Sequence, residues 1–240
     1  MNFPTSSTAS TAPTTLNAPT FTKPDPAMAA ALLSHAFLWM FSGLLVTAGV
    51  AFVVQSNAQV MKTATENMLP IFFGQLAMVW AIGLGIRRMN ATFALGLFFV
   101  YAATLGFTVA VIVSFYTAGS VTAAFLSASA MFGAAGLYGV VTKRSLVGLG
   151  GMLTIGIIGL IVASLINVFF ASGTLSWIIS VIGVVIFTAL TAYDTQRISS
   201  GALVVQTGSV EKAAVMGALS LYLDFINLFL FLLRLVGNRR

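Results

Sequence analysis

Seven long apolar runs, separated by short polar connections, dominate the chain: approximately Leu32–Val54, Leu69–Ile86, Ala91–Phe115, Val121–Val141, Leu146–Phe170, Leu175–Tyr193 and Ala213–Val236. Each is close to the ~17–25 residues that a helix needs to cross a hydrocarbon core of about 30 Å. They are too long for barrel strands, and every backbone polar group in lipid must be paired within the protein, so the pattern predicts seven transmembrane α-helices. The stretch before them, residues 1–27, contains Pro4, Pro13, Pro19, Pro24 and Pro26 among Ser, Thr and Ala, and predicts a disordered tail followed by a membrane domain over residues 28–240. It lacks the basic start and apolar core of a secretion signal, so the first apolar run is expected to be retained.

Composition agrees with the pattern. Of 240 residues 59% are hydrophobic and 7% charged, with a mean hydropathy of +1.03, a balance that fits an all-α integral membrane protein in contact with a lipid bilayer. The net charge of +6 comes from Lys and Arg scattered singly or in pairs with no recognition motif, so nucleic acid is not an expected partner. With no cysteine and a single histidine, His35, thiolate metal sites and His-rich zinc sites are excluded, and no cofactor is expected.

The basic residues set the orientation. Arg87 and Arg88 lie between runs two and three, Lys143 and Arg144 between four and five, and Arg197 and Lys212 between six and seven, whereas the alternate connections carry only Lys62. The positive-inside rule then places the N-terminus in the cytoplasm. Run seven conflicts weakly with that rule, because crossing carries Arg239 and Arg240 outside, but about 24 uninterrupted helical residues span about 36 Å and favour a full crossing. Glycines recur within the runs, at Gly43, Gly49, Gly83, Gly85, Gly133, Gly136, Gly156 and Gly159, as expected where helices approach closely in lipid.

Charge within or at the ends of the apolar runs is the main clue to chemistry. Asp194 and Asp224 are two of only five acidic residues, and a charge at the middle of a bilayer costs about 2.5–3.5 kcal/mol on insertion scales, so such residues usually face the bundle interior and handle ions or protons. On the last helix Ser220, Asp224, Asn227 and Arg234 fall within roughly 80° of one another, a narrow polar line expected to border an internal path. Asp194 stands three residues before Arg197, so an interfacial ion pair is the alternative there. Contact between the aspartates is not guaranteed. With Gly201 ending run six and Ser209 capping run seven, Asp194 lies about 10 Å from its helix end and Asp224 about 22 Å, and tilt or an inward-dipping loop must absorb the offset. Two carboxylates that do meet in a poorly solvated site share a proton, which latches the helices; its loss leaves two repelling charges and oxygen ligands suited to calcium.

Two segments, Ala192-Tyr193-Asp194-Thr195-Gln196-Arg197-Ile198 and Leu219-Ser220-Leu221-Tyr222-Leu223-Asp224-Phe225-Ile226-Asn227-Leu228-Phe229, resemble those of the Bax inhibitor-1 family, as does the seven-span layout over about residues 28–237. The resemblance implies six helices surrounding a central C-terminal helix, and a calcium leak gated by a di-aspartyl pH sensor to which Asp194 and Asp224 correspond, with calcium as the transported ion and a transient ligand. It implies a gating role for Arg87 or Arg88, and Gln75 stands where an acidic residue is common. The absence of a long charged C-terminal extension fits bacterial members and an inner-membrane location. A non-transporting regulator that binds membrane protein partners, in proteolysis or stress and death signalling, is the competing function. An aspartic-protease-like enzyme is disfavoured, because no glycine-containing context frames either aspartate.

Overall fold

The computed structural model describes residues 25–239. Helices account for almost all of it, and the only strand-like pairing among these residues is an isolated bridge between Tyr116 and Arg239. Seven helices are long and apolar enough to cross a membrane: α1 (Pro26–Ser56), α3 (Met68–Gly85), α4 (Ala91–Val113), α5 (Ala118–Val141), α6 (Leu149–Phe170), α7 (Gly173–Ser199) and α9 (Val210–Val236). They coincide with the seven apolar runs, with ends that differ by a few residues. Two short helices occupy connections that the hydrophobic pattern leaves blank: α2 (Ala58–Glu66) and α8 (Ala202–Thr207).

Polar residues at the run boundaries fix where helices begin. Asp25 accepts a hydrogen bond from the Ala27 N–H at 3.2 Å with Pro26 at the first helical position, Asn90 accepts from Phe93 at 2.6 Å, and Ser209 accepts from Lys212 at 3.2 Å. Each satisfies an amide that the first turn leaves free. Because α1 begins at Pro26, the last two residues of the expected tail are helical; residues 1–24 lie outside the described residues.

The last long helix is the interior one. Within its most apolar window 72% of the residues of α9 are buried, against 11% for α3 and for α6. Its main neighbours are α1, α4, α5 and α7, while α3 is carried on α4 and α6 on α7. Six helices therefore do not ring α9 equally, because α3 and α6 sit one layer further out. Their large apolar side chains, such as Leu84 and Phe169, face outward, as lipid requires.

The two ends of α9 reach the two ends of α4, as the expected full crossing requires. Near its start, the Lys212 ammonium donates to the Arg87 carbonyl at 3.0 Å, just before α4. Past its end, the Asn238 carbonyl accepts from the Thr117 N–H at 3.1 Å, and the Asn238 N–H donates to Ser120 Oγ at 2.9 Å, just after α4. Thus α9 extends from one end of α4 to the other and does not turn back. The basic connections meet at the Arg87 end. There Gln196 Nε2 donates to the Arg144 carbonyl at 2.8 Å and Gln196 Oε1 accepts from the Leu146 N–H at 2.7 Å.

Glycine permits close approach at fewer of the expected positions than the sequence suggests. A β-carbon on Gly43 would stand 2.6 Å from Phe98, and one on Gly156 2.9 Å from Ile186, but Gly49, Gly83, Gly133 and Gly159 face open space, Gly136 has only ordinary contacts, and Gly85 meets Met89 of the following turn. The close approaches to another helix's backbone lie elsewhere. Gly106 of α4 meets Val50 and the Thr47 carbonyl of α1, and Gly139 of α5 lies directly against the Ala192 backbone of α7.

Candidate functional site

Both aspartates lie inside the bundle, on adjoining helices. Asp224 is 4% exposed on α9 and Asp194 9% exposed on α7, and these two helices pack along each other. The 10-residue connection between them folds back against the two helices. After α7, Gly201 adopts a left-handed conformation at φ 72°, α8 buries Leu203 and Thr207, and Gly208 turns the chain again at φ 84° into the Ser209 cap of α9. Glycine at both bends avoids the penalty that a β-carbon meets at positive φ.

The surroundings of the two carboxyls differ. Asp194 Oδ1 stands 3.8 Å from Arg197 Nη1, one turn further along α7. Asp224 has no cation beside it among the described residues, and its Oδ2 is buried without a hydrogen-bond partner. A buried oxygen without a partner is rare in folded proteins and requires an explanation.

The rest of the predicted polar line is less enclosed. Ser220 and Asn227 are half-buried and Arg234 is exposed; with Leu223, Leu230 and Phe231 they form the least covered face of α9, and Asp224 lies at its inner border. Asn227 Nδ2 donates to the Leu223 carbonyl one turn back at 2.8 Å, and the Arg234 guanidinium lies 6.0 Å from the Phe231 ring centre. The line therefore borders the interior from the open side of α9 rather than running through its centre. A helical wheel gives the face but not what covers it.

Neither candidate gating arginine contacts the aspartates among the described residues. Arg87 Nε donates to the Gln206 carbonyl of α8 at 2.7 Å. Arg88 is exposed and makes no side-chain hydrogen bond among the described residues. The cation at the site is Arg197, whose other terminal nitrogen donates to the Gln206 side-chain oxygen. Sequence reasoning passed over Gln206, and the signal available was the pair of glycines bracketing its six-residue segment.

A second buried polar node lies across α9 from Asp224. Thr47 Oγ1 of α1 lies 2.5 Å from the Tyr222 hydroxyl, 2.8 Å from the Ala102 carbonyl and 3.0 Å from the Gly43 carbonyl. Tyr222 is fully buried, with the Phe98 and Tyr101 rings edge-on to it. Of the three hydroxyls in the first apolar run, Ser34, Ser42 and Thr47, nothing in the sequence singled out Thr47. Gln75 is 5% exposed and donates to the Thr104 carbonyl and to Thr108 Oγ1, each at 2.9 Å, so this neutral side chain ties α3 to α4.

Comparison with known proteins decides the family. Residues 29–240 match the family described as Inhibitor of apoptosis-promoting Bax1. The chain belongs to the Bax inhibitor-1 family. It is 41% identical over 214 residues to the inner membrane protein YbhL of Escherichia coli, an alignment covering 87% of this chain and 92% of YbhL. An uncharacterized protein of Deinococcus radiodurans is 40% identical over 209 residues, covering 87% of this chain and 90% of that one. The uncharacterized protein YrjE of Lactococcus lactis is 39% identical over 213 residues, with 86% and 90% covered. As a Bax inhibitor-1 family member the chain is a multi-pass membrane protein, and none of these relatives' names assigns a reaction.

Proposed function

We propose that this Bax inhibitor-1 family member is a pH-sensitive leak path for cations, calcium among them, gated by Asp194 and Asp224. The observation that carries this reading is the Asp224 carboxyl, enclosed in a lipid-embedded bundle, with one oxygen unpartnered and a second buried carboxyl, Asp194, on the helix packed against its own. A group left unpaired in this way lowers stability by about 1–3 kcal/mol, and its retention is understandable where it handles protons or ions.

The chemistry runs through one proton. Shared between the two carboxyls, it joins α7 to α9 by a hydrogen bond and leaves a single negative charge. Once it is lost, two negative charges repel across the α7–α9 contact; unit charges at about 4 Å repel by about 4 kcal/mol at an effective dielectric constant of about 20, and a repulsion of that order drives the facing surfaces of α7 and α9 apart. The freed oxygens, with Ser220 and Asn227 beside them, then offer ligands to a hard cation. Calcium normally takes about 6–8 oxygens, and the described residues hold no group of three or more His, Cys, Asp or Glu side chains. A calcium ion at the pair is therefore held weakly and moves on.

The end that gathers Arg87, Arg144, Arg197 and Lys212 is the cytoplasmic end by the positive-inside rule, with the N-terminus on the same side. A bacterial inner membrane, the location in the name of the E. coli relative, is the setting we propose. Calcium entry into proteoliposomes tests the function. It rises from acid to neutral pH in the parent protein, and Asp194→Asn or Asp224→Asn flattens that response. Flux with the parent pH response in both variants removes the aspartates from the mechanism. A protein that acts only by binding membrane partners gives no such flux at any pH.

A further inference from the structure

The connection between α7 and α9 holds a linkage that the gating scheme does not use. The Arg197 guanidinium is divided between two acceptors: one terminal nitrogen points at Asp194 Oδ1 across 3.8 Å, and the other donates to Gln206 Oε1 on α8. An arginine facing a lone carboxylate normally closes on it with two parallel bonds of about 2.7–2.9 Å. Here Gln206 takes half of the fork, and the approach to Asp194 stays long. The backbone carbonyl of the same residue accepts from Arg87 Nε at 2.7 Å, and the Arg87 carbonyl accepts from the Lys212 ammonium at 3.0 Å. One residue of α8 thus joins the α3–α4 turn to the end of α7, and Arg87 carries the link on to the start of α9.

We infer that Gln206 is a positioning residue for the aspartate pair, holding Arg197 back from Asp194 and tying that restraint to Arg87, an inference that rests on the gating role proposed above. The other charges near Asp194 are few. The adjoining α9 carries Asp224, with Glu211 and Lys212 at its start, and Asp194's own helix carries Arg197; the α5–α6 connection adds Lys143 and Arg144 at the same end, α5, α6 and α8 contain no Asp, Glu, Lys, Arg or His, and α1 contributes only His35, near its start. The distance between Arg197 and Asp194 is therefore the main adjustable electrostatic influence on the pair besides the pair itself. Gln206 is exposed, so it can be replaced without disturbing the packed interior.

Release of Arg197 has a calculable sign. In Gln206→Ala the guanidinium is free to close on Asp194, which favours the carboxylate, so the pair gives up its shared proton at lower pH. Closing from 3.8 Å to about 2.8 Å at an effective dielectric constant of about 20 corresponds to about one pH unit, and the partial exposure of Arg197 reduces this to on the order of half a unit. Gln206→Glu does the opposite, because its carboxylate draws Arg197 away and adds negative charge. Arg87→Ala loosens α8 and shifts in the same direction as Gln206→Ala, by less.

The test uses the full chain in liposomes and two readouts. The first is the pH profile of calcium entry. The second is the infrared carboxylic-acid C=O band that Asp194→Asn or Asp224→Asn removes, titrated in each variant, which needs no flux. The expected result is an acid-ward shift in Gln206→Ala and an alkaline-ward shift in Gln206→Glu by both readouts. A carboxyl band that titrates identically in the parent, Gln206→Ala and Gln206→Glu overturns the inference, whatever the flux does. If instead the band moves with Gln206 while the flux ignores both aspartates, the positioning role stands and the gating reading falls.

Discussion

Replacing Asp224 by alanine should leave the bundle at least as stable as before while removing its pH response. The carboxyl is 4% exposed and its Oδ2 has no partner, so deleting it recovers about 1–3 kcal/mol of unmet desolvation. Against that stands the void left behind. A space of about one water, about 30 Å³, costs about 0.7 kcal/mol at ~24 cal/mol per Å³. The balance is a stabilisation of about 0–2 kcal/mol, which for a chain of this size raises Tm by up to about 6 °C. Reversible unfolding of Asp224→Ala against the parent, in one detergent at pH 7, where the shared proton and the hydrogen bond it makes are lost, measures it. A loss of stability beyond about 1 kcal/mol would mean that the carboxyl is satisfied by its surroundings, and the reasoning that assigns it to function would fail. The expected trade, with stability gained and activity lost, is the usual mark of a group kept for what it does.

Three further outcomes follow from the packing. At the Thr47 and Tyr222 node, whose oxygens lie 2.5 Å apart, a double-mutant cycle of Thr47→Val and Tyr222→Phe gives a coupling of about 0.6–1.7 kcal/mol; a coupling of zero refutes the bond. Gly139→Ala drives a β-carbon into the Ala192 backbone and destabilises by about 1–3 kcal/mol, whereas Gly133→Ala, which meets nothing within 4 Å, is neutral or stabilising by up to about 1 kcal/mol; equal effects contradict the helix contacts described. Because the chain has no cysteine, the pair Tyr116→Cys with Arg239→Cys can be oxidised cleanly. These bridge partners have the backbone spacing that a disulfide needs, and failure to cross-link, seen as unchanged gel mobility, counts against α9 ending beside the α4–α5 turn.

The membrane-spanning portion of this fold was legible because lipid imposes a single demand, a long apolar run, and each of the seven runs became a helix with ends near polar caps such as Asn90 and Ser209. What lay between the runs was not legible in the same way. The segments Ala58–Glu66 and Ala202–Thr207 are short and mixed in polarity, and they fold because of what they pack on. Helix contacts were also hidden. Gly49 and Gly139 look alike in sequence, yet only Gly139 lies against another backbone.

The site divided along the same line. Asp194 and Asp224 stood out because a carboxylate in an apolar run is costly wherever the helix lies. The rotation of α9, which leaves Ser220 and Asn227 half-covered, depends on neighbours that a single helical wheel does not contain. Gln206 acquires its place only when α8 folds back between Arg87 and Arg197. No local pattern announces such a linkage.

The central claim is that losing the proton held between Asp194 and Asp224 opens a water-filled path beside α9. The most direct measurement is the rate at which a water-soluble thiol reagent modifies Asn227→Cys in liposomes at acid and neutral pH, relative to Glu66→Cys, which replaces an exposed residue. The normalised rate should rise severalfold from acid to neutral pH, and the rise should vanish when Asp224→Asn is added. A normalised rate that is the same at both pH values, or a rise that persists in Asp224→Asn, contradicts the account.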